Sequence, residues 1–393
     1  MVSDSQIEGH VAKGSNLIRL KEVAEKLTLI YRGDELQADM RGREDQQEEV
    51  FSYIALEKRV PQGHPLRRIR AMADQALQEL SSWFDRLYAQ TGRPSIPPEQ
   101  LLRALILQAL YTIRSEAQLM DQIDGNLYYR WFVGLKIDEA VWDATVFSKN
   151  RERLMAGEVA QKFFAKVREQ AEGARLLDDE HFSVDGSLIE AWASRESYVE
   201  KKDPPARGTG ARGRKLLRDT HESQTDPEAH LYKKGHGLAQ LSYLGHVVTE
   251  HKHGLIVESC LTQASKRAEW EAALAMLTNL APGHREITVA ADRAYQEEKL
   301  IAALRALGVV PLIAEYKPSK YWKNWLTSQE REHPRFAVSQ KKRRLIEKVF
   351  SWIKNIAGLR RTRLCGRRRV EWAFRIAATA HNLLRMAKLI PAV

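Results

Sequence analysis

Hydrophobic residues recur with a helical period through the first half of the chain. Between about residues 66 and 175, apolar side chains return every three or four positions, as in amphipathic helices. Pro97 and Pro98 predict the first turn of one helix, residues 124 to 126 break another, and a further helix is predicted from about 145 to 167. Four aromatic residues after the break are interpreted as core rather than as a base-stacking surface: Tyr128, Tyr129, Trp131 and Phe132.

The hydrophobic pattern changes after residue 180. Short alternating or continuously apolar segments predict strands, and longer periodic segments predict helices. Strands are expected within residues 181 to 192 and at 238 to 250, 255 to 262, 287 to 292 and 309 to 315, with helices at 266 to 280, 297 to 307 and 341 to 356. This order predicts an α/β fold in which a mixed sheet is flanked by helices.

Three parts are predicted along the chain. Residues 1 to 42 have no sustained period and are interpreted as a flexible N-terminal extension, with Met40 as a candidate internal start. Residues 43 to 175 form a helical domain that either reads DNA like a helix-turn-helix or only supports the next domain. Residues 176 to 390 form the α/β domain, in which residues 195 to 237 are expected to be a structureless, basic-ended loop that orders on nucleic acid.

The charge of the chain favours a polyanionic partner. The 393 residues carry a formal net charge of +11, with 44% hydrophobic and 29% charged residues, which is an ordinary globular balance. Residues 341 to 369 contain twelve Lys or Arg and one acid, Glu347. A solvated basic face is the alternative, but so strong an asymmetry favours nucleic acid.

Other features of the sequence argue against several classes of protein. The two cysteines, Cys260 and Cys365, are far apart and form no zinc-binding pattern, which favours the reducing cytosol. The close pair His251 and His253 is a weak candidate for a metal site. We find no signal peptide and no stretch long and apolar enough to span a membrane.

The helix predicted from 341 to 356 places one acid among bases. Steps of four and seven residues bring Arg343, Glu347 and Lys354 to nearly the same side. The opposite side is predicted to be buried and consists of Leu345, Ile346, Val349, Phe350, Ile353 and Ile356. Such an acid could bind a divalent ion while the bases neutralise phosphates, although an exposed ion network is the alternative.

Two more acids stand at strands. Asp185 lies in the first strand and Asp292 at the end of the fourth. Each has another interpretation, because Asp185 with Gly186 is also a hairpin-turn signal and Asp292 could pair with Arg293. Together with Glu347 on a late helix, however, they have the order in which an RNase H-like sheet brings three carboxylates to one edge.

Here the sequence resembles the DDE transposases of bacterial insertion sequences, specifically the insertion-sequence-5 type. The matching segments are residues 181 to 192, 225 to 235, 290 to 295 and 343 to 354, with residues 92 to 103 and 131 to 135 in the helical part. The resemblance implies a catalytic triad of Asp185, Asp292 and Glu347. The family signature of Tyr, Arg, Glu and Lys falls on Arg343, Glu347 and Lys354, but Gln340 stands where the Tyr is expected.

The resemblance implies a DNA transposase of the bacterial cytoplasm and nucleoid that uses two Mg²⁺ ions, for which Mn²⁺ can substitute. Its partners would be double-stranded element ends and target DNA, with a homodimer in the DNA complex. A nuclease without strand transfer and a silent DNA-binding regulator are the alternatives.

Trp322 and Trp325 could stack on an extruded base but are better interpreted as anchors. The expected DNA-binding residues are Arg343, Lys354, Lys341, Lys342, Arg344, Arg360, Arg361, Arg363, Arg367, Arg368, Arg369, Lys233 and Lys234.

Overall fold

A computed structural model describes residues 55–88, 95–202, 220–234, 238–280, 286–317 and 323–390. These residues belong to one compact unit. The predictions for residues 1 to 42, for Met40 and for Trp322 lie outside the described residues.

The first part of the described chain is helical, as predicted. Its helices are α1 (Leu56–Arg59), α2 (Pro65–Glu79), α3 (Ser81–Leu87), α4 (Pro98–Leu110), α5 (Glu116–Gly125), α6 (Leu127–Val133), α7 (Ala144–Ala156) and α8 (Val159–Gly173). Asn126 both ends α5 and begins α6, because its side chain accepts hydrogen bonds from the backbone N–H groups of Tyr128 and Tyr129. The aromatic cluster is confirmed as core, since Tyr129, Trp131 and Phe132 are at most 9% exposed.

The single helix predicted from 145 to 167 is wrong, because the structure has α7 and α8 there. Gly157 follows α7, and Glu158 adopts a left-handed backbone conformation with φ of 53°. A residue in this conformation interrupts the ladder of backbone hydrogen bonds and lets the chain change direction.

The second part is built on a mixed sheet. Its strands are β1 (His181–Glu190), β4 (His230–Tyr232), β5 (Gln240–Glu250), β6 (Ile256–Gln263), β7 (Ile287–Ala291) and β8 (Val309–Ile313), while β2 (Tyr198–Glu200) and β3 (His221–Ser223) form a separate pair. The order is β4, β5, β1, β7, β8, and β6 also pairs with β5. Strand β1 is antiparallel to β5 and parallel to β7. This arrangement confirms the predicted RNase H-like sheet.

The connection from 195 to 237 differs from the expectation. It was expected to lack secondary structure, yet its described ends contain the β2–β3 pair and the edge strand β4. Short strands of three residues carry too weak an alternation to be recognised from sequence.

Helices cover both faces of the sheet. They are α9 (Ala268–Leu280), α10 (Glu298–Ala306), α11 (Ser328–Arg331), α12 (Phe336–Lys342), α13 (Arg344–Asn355) and α14 (Arg367–Leu389). Helices α9 and α10 pack on the face that carries Phe182 and Val184, and α13 and α14 pack on the face that carries Ile189 and Val247. The other side of α14 completes the core of the helical part through Trp372, Ile376, Ala380, Leu383 and Met386.

The helix predicted from 341 to 356 is also interrupted. Helix α12 ends at Lys342 and α13 begins at Arg344, although Arg343 itself keeps helical backbone angles. The predicted buried side is correct for Ile346, Val349, Phe350 and Ile353, but Ile356 is 39% exposed because it lies beyond the end of α13.

Gly245 allows α14 to approach the sheet closely. A Cβ at this position would lie 2.7 Å from Cε2 of Phe374 and 3.0 Å from Cδ1 of Ile189. We expect Gly245→Ala to lower the free energy of unfolding by about 1 to 3 kcal/mol, because an overfilled core must shift. Urea unfolding measures this. Gly173→Ala is the matched control, since its Cβ meets nothing within 4 Å; equal losses in both variants would contradict the close approach.

Candidate active site

The pairing of β1 with β7 brings two acids together. In this parallel pair Ser183 is opposite Ala290. Continuing the register by two residues aligns Asp185 with Asp292, at about the 4.8 Å spacing of neighbouring strands. We call these residues the acid pair. Asp292 stands just after β7, where its Oδ1 accepts a hydrogen bond from the N–H of Ala294 at 2.8 Å.

The acid pair projects toward α13. Asp185 is directly opposite Val247 of β5, and Val247 packs in the core beneath α13 and α14. Cross-strand partners point to the same face of a sheet, so Asp185 points to that face too. Burial, together with the charges of Asp292 and Glu269, raises the pKa of Asp185 to about 6 despite the opposing effect of Lys234.

Helix α13 presents Glu347 and Lys354 on this face of the sheet. The helix packs against β1, and Lys354 is half-buried and interacts electrostatically with Asp185. Burial beside Arg360 and Lys234 lowers the pKa of Lys354. Glu347 is exposed and lies seven residues earlier, hence on nearly the same side and about 10 Å along the axis. Among the described residues no group of three potential ligands forms around the acid pair, so the place of Glu347 in the triad stays a prediction.

A lysine and a glutamate that sequence reasoning did not pair also meet the site. Lys234 Nζ donates hydrogen bonds to the carbonyl of Gly186 at 2.7 Å and to Oε1 of Glu269 at 2.6 Å. Burial opposes the charge of Lys234, but Glu269, Asp185 and Asp292 outweigh it and raise the pKa of Lys234. The sequence predicts Lys234 as a DNA contact, whereas in the structure its charge interacts with the carboxylates of Glu269, Asp185 and Asp292. Glu269 is an acid that the sequence pattern did not indicate.

Two buried polar groups lie near the site. His246 is opposite Gly186, and its Nδ1 is 2.8 Å from where a Cβ of residue 186 would lie, so this position requires glycine. Nδ1 of His246 and the hydroxyl of Tyr295 have no hydrogen-bond partner among the described residues. Burial, with the charges of Asp185, Glu269 and Asp292, raises the pKa of Tyr295 well above its usual value.

The acid pair fits a divalent cation chemically. Carboxylate oxygens are the ligands that Mg²⁺ and Mn²⁺ prefer, and Asp185 and Asp292 share one face of the sheet. Within the described ranges, no three acidic, histidine or cysteine side chains stand close enough to hold an ion together.

The remaining predicted DNA-binding residues fall into two groups. The exposed ones are Lys233, Lys341, Arg344, Arg360, Arg361, Arg363, Arg367, Arg368 and Arg369, while Lys342 and Arg343 are half-buried. Arg368 and Arg369 also connect α14 to α7: Arg368 donates to the carbonyl of Met155 at 3.1 Å, and Arg369 pairs with Glu152 at 3.0 Å. These two arginines have structural partners, which makes them poorer candidates for DNA contact.

Gln340 and Trp325 have structural partners as well. Nε2 of Gln340 donates to the carbonyl of Leu312 at 2.6 Å and thereby ties α12 to β8. Trp325 is half-buried against the core beneath α10, and its carbonyl accepts from Arg305 at 3.0 Å. The interpretation of Trp325 as an anchor is supported.

An RNase H-like sheet with paired acids on its central strands defines a class of enzymes that cut or join phosphodiester bonds. Comparison with known families identifies the branch. Residues 177–383 match the model described as a transposase DDE domain, and residues 54–153 match a transposase domain (DUF772). The chain belongs to the DDE transposases. It is accordingly a DNA transposase, an enzyme of a family that uses divalent metal ions.

Two further observations complete the comparison. The chain is similar to a solved structure, the cryo-EM structure of a piggyBac transposase synaptic complex with hairpin DNA. The match covers 82% of this chain and 75% of the piggyBac chain, with 7% sequence identity and a TM-score of 0.37, which is too low to support any inference. Among the described helices, none has the length and apolar character needed to cross a membrane.

Proposed function

We propose that this transposase cuts the phosphodiester bond at each end of its own insertion sequence, of the insertion-sequence-5 type, and joins the freed 3′ hydroxyl to target DNA. One observation supports the proposal: β1 and β7 pair in parallel up to Ser183 and Ala290, and continuing this register by two residues would bring Asp185 beside Asp292. Helix α13 packs against β1 and carries Glu347 and Lys354 seven residues apart, on nearly the same side of the helix.

Asp185, Asp292 and Glu347 would hold two Mg²⁺ ions, with Mn²⁺ able to substitute. Such ions generate a nucleophile from water or a hydroxyl and stabilise the leaving oxygen. Glu347 has to come closer to the acid pair, and the exposed position of its side chain leaves it free to do so.

The basic side chains would position the DNA. Lys354 lies beside Asp185, and Arg343 precedes Glu347 by one turn, so both could contact phosphates next to the scissile bond. Arg360, Arg361 and Arg363 are exposed beyond α13 and would continue this contact along the duplex. Each phosphate neutralised by such a residue should add about one unit to the salt dependence of binding.

The decisive experiment is strand transfer from a precut donor. The donor is a duplex with a recessed 3′ hydroxyl, taken from the matched inverted repeats that flank the coding region, and the target is a supercoiled plasmid with Mg²⁺. We expect the full-length wild-type chain to join the donor end to the plasmid. A homodimer would join two donor ends to the plasmid together. This product migrates differently in a gel from the product in which only one end is joined.

The same assay separates the alternatives. Nicks in an uncut donor without joined products would indicate a nuclease and contradict the proposal. End binding with neither nicks nor joined products would indicate a silent regulator. A strand-transfer product that also forms with Glu347→Gln would remove Glu347 from the site.

A further inference from the structure

An exposed arginine stands next to an aromatic ring on the β8 side of the acid pair. Arg293 follows Asp292 directly, in the short 3₁₀ helix Arg293–Tyr295, and its side chain is exposed. Its guanidinium carbon lies 5.8 Å from the centre of the ring of Tyr316, in the segment that follows β8. We call these two residues the arginine–tyrosine pair. A guanidinium group at this distance is attracted by the aromatic ring, which favours one orientation of the arginine.

Hydrogen bonds hold the segment that carries Tyr316 in place. The N–H of Tyr316 donates to Oδ1 of Asn324 at 2.9 Å, and the carbonyl of Tyr316 accepts from Nδ2 of Asn324 at 2.9 Å. The buried side chain of Gln296 donates to the carbonyl of Ala314 at 3.3 Å and accepts from the N–H of Trp325 at 3.0 Å. These four bonds restrict where the ring can lie, so the ring provides a fixed support for the arginine beside it.

The charge of Arg293 is not neutralised within the described part of the chain. The sequence allows an ion pair with Asp292, but in the structure Arg293 forms no ion pair with a described residue. Oδ1 of Asp292 accepts instead from the N–H of Ala294. Tyr316 interacts electrostatically with both Asp292 and Arg293, which places the arginine–tyrosine pair beside the acid pair. An oriented guanidinium group without an acidic partner is suited to bind a phosphate, because its N–H groups match the geometry of phosphate oxygens.

The arginine–tyrosine pair and Lys234 approach the acid pair from opposite sides. In the sheet, β4 and β5 lie on one side of β1, while β7 and β8 lie on the other. Lys234 follows β4 and donates to the carbonyl of Gly186 on β1. Arg293 and Tyr316 follow β7 and β8. A DNA strand that crosses the acid pair in the direction of the strand order would therefore meet a different cation on each side of the scissile bond.

We propose that Arg293 binds one phosphate of the element DNA on the β8 side of the scissile bond, and that Tyr316 is a positioning residue that orients Arg293 for this contact. The inference rests on the proposed function, since it assigns the contact to the same DNA. The alternative is a solvated surface arginine, whose charge attracts all nearby phosphates alike. The two differ in whether the contribution of Arg293 to binding depends on one particular phosphate.

Duplexes with one uncharged phosphate test the contact. Each probe is the duplex from the element end in which a methylphosphonate replaces a single phosphate, at successive positions on both sides of the cleavage position. Fluorescence anisotropy with EDTA measures the affinity of the full-length chain for each probe. We expect Arg293→Gln to bind the unmodified duplex about tenfold more weakly than the wild type, as loss of one charged hydrogen bond allows. At one position the methylphosphonate should weaken the wild type by a similar factor and Arg293→Gln by less than about twofold.

Further variants separate charge, orientation and support. Arg293→Gln should reduce the salt dependence of binding by about one unit, and Arg293→Lys should restore this dependence but only part of the affinity. Tyr316→Phe keeps the ring and should keep the effect of the single methylphosphonate, whereas Tyr316→Leu should lose most of it. Lys299→Gln is the matched control, because it removes an exposed charge from α10 and should show the effect in full. Circular dichroism confirms that each variant is folded.

Methylphosphonate effects that are equal in the wild type and Arg293→Gln at every position would overturn the contact. A full effect in folded Tyr316→Leu would overturn the role of Tyr316, as would loss of the effect in Tyr316→Phe, which decides the question if Tyr316→Leu does not fold. The measurement needs no metal ion and no cleavage. A chain that joins DNA ends without a phosphate-specific effect of Arg293 thus refutes the contact alone, whereas one that shows this effect but joins nothing refutes the proposed function alone.

Discussion

Asp185→Asn is expected to abolish DNA cleavage, with a loss of about 10³-fold or more, and to make the free protein more stable. Activity falls because an amide is a poor ligand for Mg²⁺ and no longer complements the metal charge. Stability rises by about 1 to 2 kcal/mol because the substitution removes a charge that burial and the negative charges of Asp292 and Glu269 disfavour. Cleavage of an end-labelled duplex and thermal unfolding without metal measure the two effects.

Asp292→Asn and Glu347→Gln should lower cleavage similarly while DNA binding stays measurable. The wild type should gain thermal stability on addition of Mn²⁺, and the variants should gain much less, since ligand binding to the native state raises its stability. Glu298→Gln is the control, because Glu298 is an exposed acid in the first turn of α10. Full cleavage by any of the three variants would remove that residue from the catalytic set.

Lys234→Met is expected to have effects of opposite sign on metal binding and on catalysis. Lys234 interacts electrostatically with Asp185 and Asp292, and its Nζ lies 2.6 Å from Oε1 of Glu269. Its removal leaves the site more negative, so Mn²⁺ should bind about three- to tenfold more tightly. Cleavage should nevertheless fall by about 10²-fold, because a charge that can stabilise the reacting phosphate is lost. Calorimetric titration with Mn²⁺ and the cleavage assay measure the two effects separately.

The control for this variant is Lys299→Met, which removes an equal charge from an exposed position on α10. It should change neither quantity by more than about twofold, as expected for a screened surface charge. Weaker Mn²⁺ binding by Lys234→Met would show that Lys234 organises the acids instead of competing with the ion. Unchanged cleavage would exclude it from the reaction.

The sequence predicted the sheet well because its strands are strongly patterned. Each long strand is a run of apolar or alternating residues bounded by a turn or a helix, and β7 ends one residue before an acid. Asp185 and Asp292 could therefore be assigned to the first and the fourth predicted strands, although not to neighbouring ones. Their shared face could not be derived, since it depends on the register of β1 against β5 and β7.

The rest of the site escaped sequence reasoning because it consists of contacts between distant segments. Lys234 and Glu269 are 35 residues apart and meet only because β4 and α9 lie at the same end of the sheet. Gln340 gave no local signal of its contact with β8. The pairing of Arg368 and Arg369 with α7 was likewise hidden, and a run of arginines at the start of a helix looked like a DNA-binding surface.

Helix α14 has a consequence for how the chain is made. Its residues complete the core of the helical part, although they are the last of the described residues to leave the ribosome. A nascent chain that lacks them leaves the core around Leu101, Phe132 and Phe163 without the contribution of Leu383 and Met386. The helical part therefore cannot close its core before α14 has been synthesised. Truncated copies that lack α14 would be degraded by proteases. They would not persist as stable fragments that compete for the element ends.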